Sequence, residues 1–79
     1  MIDIAKISGE YISKLAGAYL HATFVFGAEP VEASEAKQRK IRKWISEQYI
    51  ELVHELPEGA NVFSKQNSDK DVFLFLKEC

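Results

Sequence analysis

The sequence predicts an α+β domain: two helices packed on one face of a small three-stranded antiparallel sheet, in the order helix, strand, helix, strand, strand. Three observations predict it. Apolar residues recur three and four apart over Ile2–Ala16 and again over Ile41–Leu56, the period of an amphipathic helix. The run Tyr19–Phe26 is aromatic and β-branched and is bounded by Gly17 and Gly27, a composition that suits a pleated surface. The last third reads as two short runs around the polar segment Asn67-Ser68-Asp69-Lys70, as a hairpin would.

In the first helix Ile4, Ile7, Tyr11, Ile12 and Leu15 form one stripe, with Gly9 costing about 1 kcal/mol relative to Ala and Gly17 as the expected stop. The first strand places Leu20, Ala22, Phe24 and Phe26 on one side. A helical phase through Ala18, Ala22 and Val25 is the alternative, which would make residues 19–26 helical instead. Gly27-Ala28-Glu29-Pro30 is a turn, and the second helix starts at Pro30 or Ser34, with Glu29, Glu32 and Glu35 where the dipole favours negative charge. Its stripe is Ile41, Ile45, Tyr49, Leu52, Val53 and Leu56, and Pro57 with Gly59 ends it. The hairpin pairs Asn61–Gln66, an edge strand, with Asp71–Lys77. The latter carries Val72, Leu74 and Leu76 on one side and Phe73 and Phe75 on the other.

Two helices cover one face of such a sheet. Phe63, Phe73 and Phe75 are then expected on the other, as an apolar face for a dimer or a partner. A chain of 79 residues has room for one core, so residues 1–79 are read as a single globular domain. Burying only about 60% of its unfolded surface, an isolated monomer of this size is marginal, which also favours a homodimer.

Ten Lys and Arg against twelve Asp and Glu give a formal charge of −2, too balanced for a general polyanion binder. The longest apolar run without a charge, Leu15–Ala28, is interrupted by Gly17, His21, Thr23 and Gly27 and falls short of the roughly 20 residues of a spanning helix. Asp3, Glu10 and Lys14 stand where a secretory signal would be basic and then apolar, so the expected location is the cytoplasm, with no membrane partner.

Catalytic chemistry has little to stand on. Cys79 is the single cysteine, without a partner for a disulfide or thiolates for a metal, and outside a prenylation motif. His21 and His54 lack paired metal-ligand spacing, so neither a metal nor another cofactor is expected. His54, near a helix end, suits the dipole there. No nucleophile elbow, P-loop or dinucleotide-binding turn is present, and the chain is read as no enzyme; a buried cleft holding either His beside an acid or hydroxyl would revive that class. Glu47, Glu51 and Glu55 share a helix face and read as a solvated acidic row.

The most informative segment is Lys37-Gln38-Arg39-Lys40-Ile41-Arg42-Lys43-Trp44. Without its five cations the rest of the chain has five Lys against twelve acids, a net −7. Arg39, Lys40 and Lys43 fall opposite the apolar stripe, Lys37 and Arg42 flank it, and Trp44 lies at its border within cation–π reach of Lys40. Ile50 is an exposed hydrophobe farther along. Ile41-Arg42-Lys43-Trp44, with Glu47 and Ile50, is similar to the central helix of the theta subunit of bacterial DNA polymerase III, an all-helical accessory protein. The likeness spans ten residues, the expected hairpin has no counterpart there, and it assigns no role to any residue.

The expected function is a small non-catalytic interaction or regulatory protein. It binds and modulates a protein partner as a homodimer, through Lys37, Arg39, Lys40, Arg42, Lys43, Trp44 and Ile50. The alternative is a small nucleic-acid binder holding phosphates with the basic stretch 37–43.

Overall fold

The structure, a computed structural model, describes residues 7–54 and 61–79, without the side chain of His54. The expected helix start at Ile2–Lys6, the acid Glu55 and the stop at Leu56–Gly59 lie outside the described residues.

The chain is helical where it was expected to be mixed. Four helices are present, α1 (Gly9–Phe26), α2 (Glu35–Gln48), α3 (Ile50–His54) and α4 (Asp69–Lys77), with a 3-10 turn at Pro30–Glu32 and no strand among the described residues. The expected α+β fold and its three-stranded sheet are therefore overturned, in two places and for two reasons.

The first is Tyr19–Phe26, where the helical alternative prevails. Tyr11, Leu15, Ala18, Tyr19 and Ala22 are all buried on one side of α1, so the three- and four-residue spacing runs straight through Gly17. Propagating a formed helix gains a hydrogen bond for each residue fixed, whereas a lone strand there has no partner. Gly17 does not stop it; the stop is Gly27, whose φ of 63° is the left-handed cap that glycine adopts without strain. Ser8 opens α1, its side chain accepting from the Tyr11 amide at 3.2 Å.

The second is the C-terminal third, where the supposed hairpin turn is a helix start. Ser68 caps α4 by accepting from the Asp71 amide at 3.1 Å, Asp69 and Asp71 sit in its first turn, and Lys77 in its last. Val72, Phe73 and Leu76 are buried together, one and four positions apart, while Leu74 points outward, which strand alternation forbids. Phe63 and Phe73 thus lie in the core, with Phe75 half-buried against it, and the expected exposed apolar face made of these three is withdrawn.

Between the helices, side chains do the ordering. Gln38 is buried, and its amide donates to the Pro30 and Val31 carbonyls at 3.1 and 3.3 Å, fixing the 3-10 turn on α2. Asn61 accepts from the Phe63 amide at 2.9 Å and donates to the Val53 carbonyl. Asn67 donates to the Val62 carbonyl at 3.0 Å. The Tyr11 hydroxyl donates to the Leu52 carbonyl, tying α1 to α3. Leu15, Ile41, Ile45, Val62, Val72, Phe73 and Leu76 make the centre of the core, to which all of the larger helices contribute.

Candidate functional site

The basic segment folds as α2, and its cations divide into two groups with different roles. Arg42 points inward. Its guanidinium donates from Nη1 to the Asn67 carbonyl and the Asp69 carboxylate, both at 2.8 Å, and from Nη2 to the Phe63 and Ser64 carbonyls, both at 3.1 Å. Four acceptors, three of them main-chain carbonyls of the 61–68 segment, use the planar fork in a way a lysine could not. Arg42 is thus a clamp that holds the loop and the start of α4 against α2.

Arg39, Lys40 and Lys43 are exposed and Lys37 is half-exposed. Among the described residues the ion pairs are Arg42 with Asp69 and Lys77 with Glu29 at 3.4 Å, so the i, i+4 partners Glu35 and Glu47 form no close pair with this set. The exposed residues of α2 in order are Glu35, Ala36, Arg39, Lys40, Lys43, Glu47 and Gln48, a charged face without a large hydrophobe.

Trp44 is half-buried and faces α1. Its ring meets His21 and Phe26 edge-on, with centroids 5.0 and 5.7 Å away, and lies 6.4 Å from Tyr49. The expected neighbour Lys40 is replaced by these rings. His21 Nδ1 and the Tyr49 hydroxyl are 2.7 Å apart, so one donates to the other, and Tyr49 reaches it because the backbone breaks between α2 and α3 at that residue, with φ −124° and ψ 51°. His21 is at the surface, beside a hydroxyl but not within a buried cleft. The quartet reads as packing that seals the α1–α2 seam.

Below that quartet lies a groove of about 440 Å³ between α1 and the α2–α3 junction, lined by Lys14, Gly17, Gln48, Tyr49, Ile50, Glu51 and Leu52. Gly17 is its bare wall: a Cβ built there meets nothing within 4 Å.

Sequence reasoning missed the exposed hydrophobes of α1, though not Ile50. Leu20, Phe24 and Val25 are 69, 85 and 47% exposed on the outer side of α1, and Ile50 is 57% exposed at the groove lip. Gly17–Phe26 contains no Asp, Glu, Lys or Arg, and His21 is the one exposed polar side chain in this half of the helix. The lack of charge was the available signal, but the aromatic and β-branched composition of Tyr19–Phe26 between two glycines points to a strand instead. Leu74, 42% exposed on α4, stands apart on another helix.

On the inner side of the same half, Tyr19 is buried and its hydroxyl donates to Glu29 Oε1 at 3.1 Å. Desolvation by burial, with the Glu29 and Glu32 carboxylates adding to it, pushes the phenol up to about 12 against an opposing backbone hydrogen bond at Val31. Cys79 is exposed, and its thiol donates to the Phe75 carbonyl at 3.3 Å.

Among the described residues no three His, Cys, Asp or Glu are grouped to hold a metal ion, and no helix is long and apolar enough to cross a membrane. No protein-family model, curated protein or solved structure matches the chain.

Proposed function

We propose that this chain is a non-catalytic interaction protein that binds and modulates a protein partner, acting as a homodimer. The observation that supports it most is the outer half of α1, free of Asp, Glu, Lys and Arg, where Leu20, Phe24 and Val25 stand in water. Contiguous exposed hydrophobes of this kind mark contact surfaces in small proteins. The charged outer face of α2 supplies the second element: Arg39, Lys40 and Lys43, with Lys37 beside them, suit an acidic partner surface by steering and register. Of the expected binding set, Arg42 is committed to the fold and Trp44 largely so, which leaves Lys37, Arg39, Lys40, Lys43 and Ile50 for contact.

The test is affinity capture from the native cell with tagged wild type and two variants, Leu20→Asp with Phe24→Asp and Lys40→Glu with Lys43→Glu, followed by mass spectrometry. One protein species recovered with wild type and lost from at least the α1 variant, with circular dichroism unchanged, is the expected result. Equal recovery by both variants rejects the reading.

The second reading, nucleic-acid binding, is favoured by one observation: four cations on α2 without an acidic partner among the described residues. Four phosphate contacts predict a log–log salt slope of about −3.6 on duplex DNA. A mobility-shift assay at low salt that shows no complex removes it.

A further inference from the structure

We propose that the outer face of α1 is covered by a second copy of this chain, in an antiparallel pairing that seats Phe24 of each copy over Gly17 of the other. This rests on the reading of α1 as a contact surface and names what occupies it.

Three features of the helix fit one another under a two-fold axis. The first is a knob and a notch on the same line. Phe24 is the most exposed large hydrophobe of the described chain, and Gly17 has open space where its side chain would be. They are seven residues apart, which places them within about 20° on the helix circumference and about 10.5 Å apart along its axis. An antiparallel copy whose two-fold axis passes between Leu20 and His21 brings Gly17 opposite the partner's Phe24 and, by the same operation, Phe24 opposite the partner's Gly17. Such an interface is isologous, and both notches fill at once. The groove beside Gly17, with Gln48, Tyr49, Ile50, Glu51 and Leu52 across from it, has the volume to take a phenyl ring, and Ile50 would be covered in the process.

The second feature is charge. In this register Lys14, on the groove rim, faces the partner's Gly27, the end of α1. That end carries no basic residue in its last turn, so its free carbonyls have only partial negative charge to offer and a lysine complements them. The centre of the contact, residues 17–26, holds no Asp, Glu, Lys or Arg; its one ionisable exposed group, His21, lies beside the axis and is engaged with the Tyr49 hydroxyl of its own chain. A parallel pairing would set Lys14 against the partner's Lys14 and leave both notches facing each other.

The third is size. A standard interface covers about 800 Å² on each partner, close to one sixth of this chain's 5104 Å² surface. The contact is confined to one helix face and the groove lip, so the dimer is expected to be concentration-dependent.

Sedimentation equilibrium from a few to several hundred micromolar tests this, on wild type, Gly17→Leu and Phe24→Ala. Wild type should move from 9.0 kDa toward twice that mass, while each variant alone stays near 9.0 kDa. The decisive arm mixes the two variants. The pairing sets one native Phe24 into one native Gly17 notch and the new Leu at 17 against the new Ala at 24, so the mixture should regain dimer. Gly17→Leu removes a helix-interior glycine into open space, so its Tm should equal or exceed wild type, which separates lost association from lost fold. A wild type that remains monomeric, variants that dimerise unchanged, or a mixture that stays monomeric each overturns the proposal. A monomeric wild type that still captures a protein through α1 overturns the dimer, here and in the proposed function, and leaves standing only the binding of a protein partner.

Discussion

The outer faces of α1 and α2 are both solvent-facing, and they are opposites. Over residues 17–26 α1 shows water Leu20, Phe24 and Val25 without a charge, whereas α2 shows Arg39, Lys40, Lys43 and Glu47 without a large hydrophobe. Solubility accounts for a face like that of α2 and does not account for one like that of α1, because an apolar surface gains by being covered and a solvated charge loses by it. Within each helix the inward residues tell the same story in reverse. Arg42, a cation, is inside α2's packing as a clamp, and Ala18 and Ala22 are buried on the inner side of α1.

The largest expected contrast is between two phenylalanines. Phe73→Ala opens a cavity in the centre of the core and should cost about 3–5 kcal/mol, while Phe24→Ala, on the exposed face, should change monomer stability by less than about 0.5 kcal/mol. Urea unfolding at low protein concentration reads both. Comparable losses would mean that the two faces of the molecule are misassigned.

Next in size is the contrast between cations one position apart. Removing the Arg42 guanidinium takes the donor from the Asp69 carboxylate and from the Asn67 and Phe63 carbonyls, while the Ser64 carbonyl keeps the Asn67 amide, so Arg42→Met should cost about 2–4 kcal/mol, and Arg42→Lys should recover little of it because one ammonium cannot span four acceptors. Lys43→Met should lie within about 0.5 kcal/mol of wild type. The same unfolding curves decide it.

A smaller effect sharpens the view of α1's inner side. Because Tyr19 ionises near pH 12 in the folded chain against about 10 when unfolded, folding favours its neutral phenol. The stability this contributes is fully present below pH 10 and is lost as pH rises toward 12. Tyr19→Phe should flatten that alkaline decline, as thermal melts between pH 9 and about 12 would show.

How much of this was legible in the sequence differs by residue. The stripe Ile41, Ile45 and Leu52 is buried as its spacing indicates, and Ser34 is the cap of α2, accepting from the Lys37 amide at 3.2 Å. Serine caps also announce α1 and α4, yet in the sequence Ser68 reads as a turn, because Val72 through Leu76 is apolar at every position and fits period two as well as period 3.6. Tyr19–Phe26 failed for the same reason: a helix with an apolar outer face has no polar side to mark its period, and its moment against solvent vanishes. Arg42 could not be told from Arg39 or Lys43 by type or neighbourhood, since its acceptors come from a segment more than twenty residues away. The apolar surface was expected, but on the wrong element. Once the C-terminal segment became a helix it could place Phe73 inside, and the excess moved to α1.

The central claim is that the outer half of α1 is uncovered in the single chain and covered in its complex. Paramagnetic relaxation enhancement by a soluble spin probe, read on assigned side-chain resonances at low and high protein concentration, tests it most directly. In dilute protein Leu20 and Phe24 should relax strongly and Phe73 not at all; on concentration, protection should develop at Leu20, Phe24 and Ile50 while Lys40 and Lys43 remain accessible. Leu20 and Phe24 already protected in dilute protein, or gaining no protection while the lysines do, would contradict it.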